Sequence, residues 1–230
     1  DHRDLHSLRR RQRQMCIRDR FRVIERSRIV KWLIIGMFVG EEFYQVSAKT
    51  YDIDLCLFLD PEEERLEAFL RSLVRVLRID PRDISPWSQF MERIRRGEIL
   101  VIEPTGPINF HIDIIPITPV HKDYEVFRDA FNNRTTAHWR CIQINIPTRE
   151  YWIALKLVGF REKDKYHLVE MLRLYNILKI RINVNVLNKV LEKYPYLKNR
   201  WEIILSIAKK DYNLELTEEG YVILSSSHDS

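Results

Sequence analysis

The chain has 230 residues, 45% of them hydrophobic and 31% charged, with 38 Lys and Arg against 33 Asp and Glu. This is enough apolar material for one moderate domain or a core with a small appendage. No apolar run reaches the ~18–20 residues of a membrane span and no secretory h-region is present, so composition excludes a helical membrane protein and points to a soluble, cytoplasmic one.

The sequence pI near 9.1 hints at a nucleic-acid binder. The excess charge, however, sits at the N-terminus. Residues 1–20 hold seven Arg and three Asp, leaving 31 basic and 30 acidic side chains in the rest. Residues 15–20 read MCIRDR, matching a forward translation of a sequencing-transposon mosaic end. On that reading residues 1–20 are a disordered leader foreign to the fold; the rival is a genuine basic arm. Outside the leader, Cys56 and Cys141 stand in apolar runs without zinc-spaced partners and read as structural thiols.

In chain order, IVKWLIIG (29–36) is a continuous apolar run ending in Gly and predicts a buried strand. A short amphipathic helix, MFVGEEFYQV, follows, and then the strand DIDLCLFL. Asp60-Pro61-Glu62-Glu63 reads as a helix start, with Leu66, Phe69, Leu70, Leu73, Val74 and Leu77 as its core stripe. A second helix is predicted over 84–96. EILVIEP and INFHIDIIPI read as strands joined by the turn Pro104–Pro107, residues 121–132 as a helix, and WRCIQINI as the last strand. From Thr148 almost to Tyr212 the period is helical. The predicted fold is α+β, a mixed α/β core over residues 21–146 followed by a helical part over 147–213 and a tail over 214–230.

Asp52 and Asp54 head an apolar strand. Alternate strand residues share a face about 6.6 Å apart, so both carboxylates project together while Ile53, Leu55 and Leu57 bury on the other side. Like charges held that close favour a cation between them, and a hard ion such as Mg²⁺ takes carboxylate oxygens. Asp113, among apolar residues on a later strand, supplies a third acid, and three such groups suit two metal ions in phosphoryl transfer. Lys156 is the only charge in YWIALKLVGF, so it either snorkels outward or meets an anion such as a triphosphate. Each feature has a plainer reading: a solvated strand end for Asp52 and Asp54, a turn acceptor for Asp113, a rim histidine for His111, and a solvated helix face for Arg93, Arg95 and Arg96.

The run LIIGMFVGEEFYQVSAKTYDIDL resembles the first motif of the nucleotidyltransferase superfamily, and IPTREYWIALKLVGFREKDKYHLVEML is similar to a segment of its AbiEii/AbiGii toxin-like branch. The resemblance spans about residues 29–175. It implies a polymerase-beta-type core with a mixed sheet. It makes Asp52, Asp54 and Asp113 the catalytic, metal-binding carboxylates for two Mg²⁺ ions. It also implies nucleotide binding by Gly36, Lys49, Thr50, Lys156, Lys163 and Asp164. The implied activity is transfer of a nucleoside monophosphate from an NTP to a hydroxyl, on a transfer RNA or a protein, with an antitoxin as a further partner. The departures are Met37 where a second small residue is usual and His167 where a second acid is usual. A catalytically inactive nucleotide- or RNA-binding module on the same scaffold is the alternative, and a plain interaction domain a third.

Overall fold

A computed structural model of the chain describes residues 31–47, 50, 52–59, 67–68, 70–72, 74, 84, 86–102, 111–139 and 142–225. The expected leader, Lys49, the helix start Asp60–Glu63, the turn Pro104–Pro107 and Cys141 lie outside the described residues.

In chain order the elements are β1 Lys31–Ile35, α1 Gly36–Phe43, β2 Asp52–Phe58, α2 Trp87–Arg95, β3 Leu100–Ile102, β4 His111–Ile117, α3 Tyr124–Asn132, β5 Thr135–Trp139, β6 Ile142–Ile146, α4 Arg149–Gly159, α5 Glu162–Leu178, α6 Val184–Lys193, α7 Pro195–Tyr212, β7 Leu214–Leu216 and β8 Val222–Leu224. Residues 67, 68, 70–72 and 74 are also helical. The fold is α+β with a mixed sheet, as the element pattern predicts. No helix among the described residues is long and apolar enough to cross a membrane.

Two compact units divide the chain, each assembled from three segments. One comprises Asp1–Ile34, Tyr51–Tyr124 and Arg134–Ile146; the other comprises Ile35–Thr50, Glu125–Asn133 and Pro147–Ser230.

The first unit is built on a sheet in the order β1-β2-β4-β3, with β2 parallel and β3 antiparallel to β4. Its strands form because Trp32, Leu33 and Ile34 on β1, Ile53, Leu55 and Leu57 on β2, and Ile112 and Ile114 on β4 are all buried. Burying each such side chain contributes about 1.5–3 kcal/mol. The amphipathic α2 buries Phe90, Met91 and Ile94. Trp87 stacks on Phe90 at 5.0 Å, donates to Glu67 at 3.0 Å and lies under Arg71 at 4.4 Å, which ties α2 to the helical residues before it.

WRCIQINI, expected as a single strand, is instead the end of β5 and all of β6. The two pair antiparallel from Thr135↔Ile146 to Trp139↔Ile142. Arg140 and Cys141 stand between them, and neither is the Asn, Asp or Gly that marks a hairpin turn in sequence.

The second unit is centred on α4. Trp152, fully buried, donates its indole N–H to the Gly36 carbonyl at 2.7 Å and meets Tyr44 edge-on at 6.1 Å. Tyr175 on α5 donates to the Tyr44 carbonyl at 3.0 Å, and Tyr44 in turn donates to the Pro147 carbonyl. The single helical stretch expected after Thr148 is four helices. Three of their ends rest on non-glycine residues in left-handed conformation: Phe160 (φ 47), Lys179 (φ 54) and Asn213 (φ 55). Arg200 satisfies two orphan carbonyls at the end of α4, those of Leu157 and Val158, at 2.6 and 2.9 Å. Residues 214–230, expected as a tail, hold the antiparallel pair β7–β8, which packs against α5 and α7.

Candidate functional site

The parallel register of β2 and β4 sets Asp52 beside His111 and Asp54 beside Asp113. Residues paired across neighbouring strands share a face, and so do alternate residues along one strand. The four side chains therefore occupy the corners of one patch, about 4.8 Å wide across the strands and about 6.6 Å long along them. Ile53, Leu55, Ile112 and Ile114 fill the opposite face and are buried, which anchors the register.

Exposure falls along this face of β2. Asp52 is exposed, Asp54 is half-buried, and Cys56 is fully buried. The carboxylates thus hold the open end of the face. Burial, and after it the charge of Asp54, pushes the Cys56 thiol well up. On β3, Val101 pairs with Asp113 and stands on the same face, 61% exposed.

Asp52, Asp54, His111 and Asp113 each have an interaction partner. As the side chains stand, no three His, Cys, Asp or Glu groups among the described residues are gathered closely enough to hold a metal ion. The backbone brings the three acids abreast; rotation about their side-chain bonds would have to close them on an ion. By donor chemistry the set fits a divalent cation, because three carboxylates on one face supply the hard oxygen atoms that such an ion prefers.

The remaining predicted residues belong to the second unit. Gly36 opens α1 directly from β1 with φ 77, a conformation that favours glycine. Thr50 donates its backbone N–H to Glu41 at 3.1 Å. Lys163 is exposed on the first turn of α5.

Lys156 neither snorkels nor faces open solvent. It is 7% exposed and its Nζ lies 3.0 Å from Asp164 Oδ1, so the anion it meets is in its own chain. Asp164 is 1% exposed and also accepts from Arg161, through Nε at 2.8 Å and the backbone N–H at 3.3 Å. Burial alone would raise the Asp164 carboxyl. The Arg161 hydrogen bond and the Lys156 charge outweigh it and hold the group below the usual carboxylate range. His167 lies one helical turn on, with its Nδ1 buried and without a hydrogen-bond partner. Burial, reinforced by the Lys156 charge, pulls its pKa down to about 4.

Two residues were not assigned a role from sequence. His111 repeats on β4 the two-residue spacing of Asp52 and Asp54, a signal that becomes meaningful only with the register. Arg161 stands three residues before Asp164, a helix-start spacing in which the acid at the third helical position bonds back to the cap residue.

The fold and this acidic face define the class as an α+β protein with a carboxylate row on a mixed sheet. No protein-family model matches the chain, and no curated protein does. Several solved structures are similar to it, among them these two. One is the antibiotic-resistance factor ANT(2'')-Ia, at 16% identity and a TM-score of 0.42, over 82% of this chain and 96% of that one. The other is an antigenic nucleotidyltransferase-like protein from Paracoccidioides brasiliensis, at 16% identity and a TM-score of 0.35, over 75% of this chain and 84% of that one.

Proposed function

We propose that this protein is a metal-dependent nucleotidyltransferase. The observation that carries the reading is the parallel register that sets Asp54 beside Asp113 with Asp52 on the same face. Asp52, Asp54 and Asp113 would hold two divalent ions such as Mg²⁺, which when bound neutralise charge on the α-phosphate and on the departing pyrophosphate. Asp113 orients the acceptor hydroxyl and takes its proton. The hydroxyl oxygen bonds to the α-phosphorus, the bond from that phosphorus to the bridging oxygen breaks, and pyrophosphate leaves with the electron pair. Ile112 and Ile114, its chain neighbours, are buried on the opposite face and fix the backbone from which Asp113 projects. The resemblance to the toxin-like branch extends the reading to a transfer RNA or protein acceptor and an antitoxin partner.

The triphosphate role expected of Lys156 is not carried into this reading, because its ammonium group is buried and bonded to Asp164. With that lysine engaged inside its own chain, the second reading is a module that has kept the scaffold and binds a nucleotide or RNA without turnover. Incubation with each α-labelled nucleoside triphosphate, Mg²⁺ and either total RNA or lysate separates the two. Label transfer should occur and fall by about 10²–10³-fold or more in Asp54→Asn, the scale of losing a principal electrostatic element. Nucleotide binding without transfer establishes the module instead.

A further inference from the structure

We infer that the corner between α4 and α5, together with the first turns of α7, is a binding surface for single-stranded nucleic acid. The surface belongs to the second unit, and the inference goes beyond the transfer chemistry proposed above without depending on it.

Charge comes first. Outside residues 1–20 the chain is almost neutral, with 31 basic and 30 acidic side chains, so it exerts little general pull on a polyanion. Residues 160–166 and 195–200 depart from that balance. They hold five cations, Arg161, Lys163, Lys165, Lys198 and Arg200, against Glu162 and Asp164. Asp164 is buried and bonded to Lys156 and Arg161, which leaves Glu162 as the acid these two segments present to solvent.

Aromatic rings stand among these cations. The Arg200 guanidinium lies 5.0 Å from the Phe160 ring and 5.4 Å from that of Tyr196, and Lys165 Nζ lies 4.9 Å from Phe160. Arg200 is held in this ladder by Nη1, which donates to the Leu157 and Val158 carbonyls. Its Nε and Nη2 make no hydrogen bond among the described residues, so two charged donors remain for a phosphate. Tyr196 is 39% exposed, and Tyr166, one helical turn beyond Lys163, is 58% exposed. Rings this exposed add little to a core, whereas every base has a face that stacks on one. Cations for phosphates set among rings for bases suit a single strand, because in a duplex the bases already stack on one another. An acidic peptide would use the charges and leave the rings idle.

The test is fluorescence anisotropy of the full chain with labelled oligouridylate and oligothymidylate, in chelator and without nucleoside triphosphate, so that the acidic face takes no part. Tyr166→Ala and Tyr196→Ala should each weaken binding by about fivefold or more, the scale of losing one contact between a base and a ring. Lys163→Gln combined with Lys198→Gln should lower the slope of log affinity against log salt by about 1.4, at about 0.7 for each phosphate contact on a single strand. Equal losses with the two strands assign the surface to their shared backbone and bases, and a loss with the uridylate alone assigns it to RNA. Ultraviolet cross-linking of a thiouridine-substituted strand to the unaltered chain needs no variant, and should mark residues 160–166 or 195–200. Cross-links confined to residues 1–20, tyrosine variants that bind as tightly as the wild type, or equally effective competition by polyglutamate overturn the inference. Each of these leaves the nucleotidyltransferase reading standing, because label transfer is measured separately.

Discussion

Asp164 and His167 share one helical turn and respond to protons over adjoining ranges. His167 has an ordinary value of 6.5 and a folded value of about 4. Between those values the unfolded chain holds a proton that the native chain refuses, so stability is complete above pH 6.5 and declines as pH falls towards 4. Asp164 sits below its ordinary 3.8 in the fold, so its contribution is complete above that value and lost beneath it. Urea midpoints measured from pH 7 downwards should therefore decline from 6.5 without a plateau. His167→Phe should flatten the limb between 6.5 and 4 while keeping the decline below 3.8. A wild-type curve that is level between 6.5 and 4 would contradict the burial that sets the histidine. The Lys156–Asp164 pair belongs to the same balance: Asp164→Ala strands the buried Lys156 ammonium, which costs about 3–5 kcal/mol in comparable sites, whereas Asp164 without Lys156 keeps its bonds to Arg161.

At the scale of elements, α1 and α4 approach where α1 has no side chain. A Cβ on Gly40 would lie 2.6 Å from Trp152 Cζ2, part of a buried indole fixed by its bond to the Gly36 carbonyl. Gly40→Ala gains helix propensity but overpacks this contact. A net loss of about 1–3 kcal/mol is expected in chemical denaturation, where a surface glycine in a helix would have gained instead. The helix ends explain why the C-terminal elements were hard to delimit from sequence. Phe160, Lys179 and Asn213 take up the left-handed cap position, and for Phe160 and Lys179 this costs roughly 1–2 kcal/mol without glycine to mark it. Arg200, remote in sequence, caps the end of α4 and helps to hold Phe160 there, its guanidinium 5.0 Å from that ring. The apolar period of α4 to α7 was legible; the breaks between them depended on partners that periodicity does not encode.

For the whole molecule, connectivity and contact disagree. The chain reads as a core ending near residue 146 and a helical part beginning near 147. Yet α1 and α3, both before 146, belong with the helices that follow Pro147. Truncation after Ile146 consequently removes α4, against which α1 packs, and the Tyr151, Lys193 and Tyr194 side chains that bond to Asn133 and Asp129 at the end of α3. A fragment of residues 21–146 should lack a cooperative thermal transition and bind a hydrophobic dye, as checked by circular dichroism and dye fluorescence; a sharp, dye-negative transition would show the core to be autonomous. Globular units need a closed apolar interior, and here that interior is completed by segments distant in sequence.

Much of the sheet was decided locally. Two-residue alternation in DIDLCLF and HIDIIPI fixes which side chains face the interior, so Asp52 with Asp54, and His111 with Asp113, had to share faces with each other whatever the fold around them. Alternation says nothing about which strand lies next to which, or at what offset. Only the assembled sheet set Asp54 against Asp113 and Asp52 against His111, and only the folded second unit gave Lys156 its Asp164. The reason is physical: periodicity is a property of a single backbone, whereas register and ion pairing are settled by the burial of several segments at once.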